Sequence, residues 1–355
     1  MNGLSCIISN LRLQARMPSL PMTTIQPNED PIRVTSYPER FSRLVPLPGW
    51  LVWVIFWQVL FLIDYLLSWQ LSLPAYGGSF ACLCLFFTSV CVVVVYCSKV
   101  LIRLYPHMLQ FTEVEKNTLT EWYTLKLKSA YEGFWPLVSG LIISISSIVS
   151  IYPLIQQLTP TTDFLFYYRV GYTSLGFFFL GVSLWALIKV SIFPMELTRM
   201  KVKVSVSQFS GNGLQALGAS FLKMSLAICV SFLLIVITTI VAPFQYNLVV
   251  LIWLGLAALF IFGFFILPQV GIHRIMRNEK THRMFSFTRH LEAALDKTLN
   301  DPSAENMQHL KELFEVQNHL KGMHEWPFDF NSVWQLLTAL IIPILLAALE
   351  ILYKG

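Results

Sequence analysis

Long apolar runs, nearly free of charge, alternate with polar breaks along most of this chain. A helix needs roughly 20 mainly apolar residues to cross a hydrocarbon core about 30 Å thick. Seven runs meet that length: Pro48–Trp69, Ser79–Leu101, Phe134–Gln156, Phe166–Phe193, Ala219–Ala242, Tyr246–Leu267 and Asn331–Tyr353. Trp50, Trp69, Trp135, Tyr152, Tyr246 and Trp326 flank their ends, where amphipathic rings settle at a membrane interface.

The breaks are of two kinds. Gln70–Gly78, Gln157–Leu165 and Pro243–Gln245 are short, so the first six runs predict three antiparallel helical hairpins. Pro153, Pro194, Pro243 and Pro268 are read as span ends, because proline removes a helical hydrogen bond. The remaining breaks are longer and polar. In Met108–Glu132, Leu119, Trp122, Tyr123 and Leu127 recur at helical spacing and predict a surface helix. Lys201–Gln208 alternates with period two but has no partner strand, which leaves its structure open. Gly211-Asn212-Gly213 marks a turn.

The longest polar element, 271–329, carries two apolar stripes: Met284, Phe287, Leu291, Leu295 and Leu299, then Leu310, Leu313, Phe314, Gln317 and Leu320. Between them Asp301 suits a cap and Pro302 a first helical position. Gly322 ends the second helix. The pattern predicts a two-helix hairpin whose first helix, at about 28 residues, is about 42 Å long. Trp326-Pro327-Phe328-Asp329-Phe330 then returns to the membrane, with Asn331 or Ser332 as cap of the last span. Trp326, Pro327, Phe328 and Asp329 form the candidate coupling junction between hairpin and span.

Charge orients the array. Cytoplasmic connections collect Lys and Arg. Of the 25 basic residues, 23 fall in the N-terminal tail and in the second, fourth and sixth connections with their span ends; only Arg169 and Lys354 lie on the other side. The expected fold is an all-α integral membrane protein with seven transmembrane helices: three helical hairpins plus a separate C-terminal span, with a cytoplasmic two-helix hairpin between spans six and seven. Its N-terminus is cytoplasmic and its C-terminus lies opposite, in a cell or plasma membrane. The expected parts are a flexible tail (1–46), a six-helix body (47–270), the hairpin (271–329) and the last span (330–355). Pro, Thr and Asn in the tail suit a flexible segment, and the apolar stretch Leu4–Ile8 is too short for a signal peptide.

Composition agrees. Only 13% of residues are charged and 55% are hydrophobic, against about 25% charged in soluble domains, so lipid is the main solvent. None of the six Cys forms a ligand-like CxxC pair; those inside runs are read as small apolar packers. His282, His290, His309, His319 and His324 lie in the hairpin, without HExxH or Cys/His spacing. No P-loop and no GxSxG elbow occurs. Tyr76-Gly77-Gly78 sits in a connection too short for the pore helix of a potassium filter. Neither enzymatic activity nor a cofactor nor a metal is expected, and no nucleic-acid partner.

Charge inside hydrocarbon is costly and therefore the main lead to function. Asp64 and Glu350 lie deep in the first and last runs, and Arg169 opens the fourth, all toward the outer side. They form the candidate intramembrane polar site; the plainer alternative is a structural pair between Arg169 and one carboxylate, or snorkelling. Ser139, Ser146, Ser147 and Ser150 make a polar stripe, read as close helix packing. Two functional readings follow. The first is a non-enzymatic scaffold or signalling component that recruits a cytoplasmic protein partner through 271–329. The second is a homo-oligomeric channel or a small-solute transporter using Asp64, Arg169 and Glu350.

Overall fold

The computed structural model describes residues 34–71, 77–111, 114–159, 164–198, 214–241 and 248–322, with residue 32, residue 326 and ten positions between 333 and 349. Among them the ordered elements are helices: α1 (Tyr37–Ser42), α2 (Gly49–Gln70), α3 (Gly77–Phe111), α4 (Lys116–Tyr131), α5 (Phe134–Leu158), α6 (Phe164–Leu197), α7 (Leu214–Val241), α8 (Leu248–Asn300) and α9 (Ala304–Lys321). Six apolar stretches, in α2, α3, α5, α6, α7 and α8, are long enough to cross a membrane, as expected of an integral membrane protein. The described positions of the seventh expected span, between 333 and 349, are also helical. The alternating segment Lys201–Gln208 and the turn Gly211-Asn212-Gly213 lie outside the described residues.

The six spanning stretches are apolar nearly all round, and a helix of that kind sits in lipid or in a large core. α2 buries Val52, Trp53, Trp57, Asp64 and Ser68 inward and exposes Ile55, Val59, Leu62 and Leu66 outward. Inside, Trp53, Trp57, Phe87, Cys84, Cys91 and Phe179 make the core between α2, α3 and α6. Trp57 lies 5.0 Å from Phe87 and Trp53 5.0 Å from Phe179. α5 packs along α6, α7 along α3, and α8 against both α6 and α7.

Small residues set the closest approaches, as in other membrane bundles. A Cβ at Gly181 would lie 2.5 Å from the Ser139 carbonyl, so α5 and α6 touch backbone to backbone. A Cβ at Gly271 would lie 3.0 Å from Pro194 and Met195. Gln269 joins α8 to α7, its Nε2 donating to the Gly218 carbonyl at 3.2 Å. The serine stripe behaves as packing. Ser139 donates to Gly181 O at 2.9 Å across the interface, while Ser147 and Ser150 donate to their own helix.

Several boundaries differ from the sequence reading. Three of the expected proline stops do not end helices: Pro153, Pro194 and Pro268 lie inside them, as does Pro106, while Pro243 lies outside the described residues. In a membrane bundle, neighbouring helices and hydroxyls can take up the freed carbonyls. Thr198 N–H closes the end of α6 on Pro194 O at 3.3 Å. Running through Pro268 and Gly271, α8 is one helix of 53 residues, about 80 Å long at 1.5 Å per residue. The expected boundary at 270/271 therefore falls inside a continuous rod.

α9 folds back antiparallel on the second half of α8. Thr298 Oγ1 donates to Asn306 O at 3.4 Å near the turn, and Lys280 Nζ to Lys321 O at 2.9 Å near the other end. The cap is Ser303 rather than Asp301: its hydroxyl accepts from Asn306 N at 3.3 Å, and Asp301 instead accepts from the Asn306 amide. Leu313 and Leu320 are buried at the seam, but Leu295, Leu299 and Phe314 of the expected stripes are exposed.

The expected flexible tail also contains structure. Ser36 caps α1. Thr35 N–H donates to Glu132 Oε1 at 2.8 Å, and Arg40 pairs with the same oxygen at 3.1 Å. α4, expected on the surface, is clamped to the bundle. Leu119, Tyr123 and Leu127 are buried, Tyr123 OH donates to Leu101 O at 2.6 Å, and Lys126 pairs with Glu196 at 2.7 Å. Burial pushes the Tyr123 phenol well up, so it remains a neutral donor.

Gly181→Ala should lower stability by about 1–3 kcal/mol, the cost of overpacking, read as a drop in thermal midpoint in detergent. Gly171→Ala, whose Cβ would meet nothing within 4 Å, should leave the midpoint in place.

Candidate functional site

Asp64 stands one helical turn before Ser68 on α2, so the two side chains share a face. That face meets the start of α6, where Arg169 points inward. Arg169 Nε donates to Asp64 Oδ1 at 2.8 Å and Nη2 to Asp64 Oδ2 at 3.2 Å, a two-pronged pair. Nη2 also donates to Ser68 Oγ at 2.8 Å, and Nη1 to Thr159 Oγ1 at 2.6 Å, just past the end of α5. Ser68 in turn donates to the Asp64 carbonyl at 2.7 Å. Phe80, at the start of α3, lies under the guanidinium, 4.9 Å from its carbon.

The cluster is closed. Arg169 is 0% exposed, Asp64 3%, Ser68 1% and Thr159 1%. A planar guanidinium offers five N–H donors; here four contacts to oxygen and one aromatic face surround it. Desolvating two charges costs several kcal/mol each, offset only by close geometry and satisfied neighbours, and both conditions are met. Beside it, Tyr168 OH donates to Leu60 O at 2.7 Å, a second tie between α2 and α6.

Of the three residues expected to form a site, the structure brings Asp64 and Arg169 together; Glu350 lies outside the described residues. Sequence reasoning missed Ser68, Thr159 and Phe80. The spacing of Ser68 after Asp64 was a usable signal, while Thr159 and Phe80 reach the cluster only through tertiary packing. Pro327, Phe328 and Asp329 of the expected junction also lie outside the described residues. Trp326 is described, and its ring stacks on His273 of α8 at 4.0 Å and 11°.

A cavity of about 480 Å³ lies below the ion pair, between α3, α5, α6, α7 and α8. Its wall is almost wholly apolar, with hydroxyls from Ser147, Thr173, Ser183 and Ser231 among them. Thr173 lies one turn from Arg169 along α6. Among the described residues, no group of three His, Cys, Asp or Glu is placed to hold a metal ion.

Asp64→Asn and Arg169→Gln should each cost about 3–5 kcal/mol, because each leaves one buried charge unpaired. The double change Asp64→Leu with Arg169→Met should recover most of that loss. Thermal unfolding in detergent reads all three, and single variants as stable as the parent would remove the structural role. Against known protein families, characterised proteins and solved structures, this chain shows no match.

Proposed function

We propose that this protein is a seven-span membrane scaffold or signalling component, non-enzymatic, that acts through the hairpin of α8 and α9. The proposal places the N-terminus and the hairpin in the cytoplasm and the C-terminus opposite, in a cell or plasma membrane, on the strength of the distribution of Lys and Arg. The observation that carries it is the 53-residue α8. One rod forms part of the bundle and continues beyond it, so whatever binds its free end is joined to the membrane core through one continuous helix.

The surface of the hairpin supports the same reading. Phe285 is 61% exposed, Leu299 73% and Phe314 44%. Large apolar side chains left open on an element outside the bilayer mark a surface that a partner covers. The stack of Trp326 on His273 ties the chain that follows α9 back to α8 at the base of the rod. The channel or transporter reading is less supported, since among the described residues Asp64 and Arg169 satisfy each other and are buried, whereas a wet pathway would leave donors open to water or substrate.

Full chain in liposomes should leave ion and dye gradients intact. In its native membrane, the protein cross-linked to α8–α9 should be lost about tenfold or more from Leu299→Glu with Phe314→Glu, as expected when central anchors are removed, with the thermal midpoint unchanged. Flux through the purified chain, with no cross-link to α8–α9, would overturn the reading.

A further inference from the structure

The cavity between α3, α5, α6, α7 and α8 has the dimensions of a ligand site. Its volume of about 480 Å³ lies within the range of about 300–1,000 Å³ typical of small-molecule pockets. Its wall runs from Thr173 to Leu187 along α6, about 21 Å at 1.5 Å per residue. It is therefore elongated along the bundle, and the shape suits a chain.

The wall chemistry narrows the occupant. No charged side chain lines it among the described residues. Arg169, one turn from Thr173, already donates to Asp64, Ser68 and Thr159. An anionic head would find no free positive charge there. Hydroxyls in helices commonly discharge onto the carbonyl one turn back. Ser183 does so onto Phe179 O at 2.7 Å, and Thr238 onto Leu234 O at 2.8 Å. Thr173 does not: it is 3% exposed and its Oγ1 has no partner. A buried hydroxyl left unmatched is unfavourable, and Thr173 belongs to the cavity wall.

There is also a way in. α5 and α8 both line the cavity, yet α5 packs along α6 and touches α4, without extended contact with α8. The gap between α5 and α8 faces the bilayer, as exposed Ile142, Ile145 and Leu256 on the two helices show. Lipid is therefore the nearest supply.

We propose that this cavity is an intramembrane binding site for a single-chain neutral lipid, entering between α5 and α8, with its one uncharged oxygen accepting the Thr173 hydroxyl. The inference stands apart from the reading of α8–α9 as a partner surface; either can fail alone.

The test uses the full chain in phosphatidylcholine vesicles containing hexadecanol that carries a photoreactive diazirine in mid-chain. After irradiation, adducts are mapped residue by residue by mass spectrometry. Saturable labelling of Leu180, Ile235 and Ala257, suppressed by plain hexadecanol, is expected. Thr173→Val keeps the shape and drops the hydroxyl, and should weaken that competition about three- to tenfold, the value of one net hydrogen bond. Ala257→Trp should fill the space and cut cavity labelling more than tenfold. If that variant does not fold, the map on the parent chain still decides. Labelling that rises linearly and stays on outward Ile142, Ile145 and Val149 would overturn the proposal. So would a cavity that takes no label at any concentration, the result expected if this chain or a second copy fills it. Cavity labelling indifferent to Thr173→Val, or suppressed better by palmitate than by hexadecanol, would overturn the neutral head.

Discussion

A guanidinium with no access to water has to find its counter-charge and its acceptors among whatever surrounds it, and in a bilayer the supply is small. Arg169 takes a carboxylate from α2, a hydroxyl from the same helix, a hydroxyl from the end of α5 and an aromatic face from α3. Four elements are thereby held at one level. The arrangement sets how far α2 can slide along α6, because a shift of one turn would leave both charges unmatched in low dielectric. Below the pair, shape takes over: Trp53 and Trp57 interlock with Phe87 and Phe179, and the backbone contact at Gly181 fixes α5 against α6.

The opposite end of the bundle is built on different physics. There, exposed and half-exposed ion pairs join separate elements: Arg40 to Glu132, Lys126 to Glu196. Such pairs in partial contact with water contribute little each, about 0–1 kcal/mol. They work together with buried anchors, such as Tyr123 OH on the Leu101 carbonyl. One end of the molecule thus depends on a single closed cluster, and the other on many weaker ties.

Hydropathy made the membrane class and six of the spans readable, and the rarity of charge in those spans singled out Asp64 and Arg169. Their pairing was not readable: 105 residues separate them, and nothing local distinguishes Asp64 from Glu350 as the partner. The proline reading failed because it treated each helix in isolation, whereas Pro153, Pro194 and Pro268 sit where neighbours stabilise a continued helix. The same omission divided α8 in two. Capping was misplaced by two residues, since Asp301 and Ser303 are both good caps and only the path of the turn chooses between them. α1 was hidden for a different reason: its short segment is stabilised by Glu132, nearly a hundred residues away.

The unbroken α8 also has a mechanical meaning. From Pro268 to Asn300 the rod extends about 48 Å at 1.5 Å per residue. Rotating it by about 5° around its base carries the tip about 4 Å, on the scale of the small helix shifts that interfaces read as switches. Because the base is packed tightly against Pro194 through Gly271, such a rotation presses on α6, the helix that also holds Arg169. The molecule is geared: a displacement too small to open a gap among the spans becomes a full side-chain's travel at the far end.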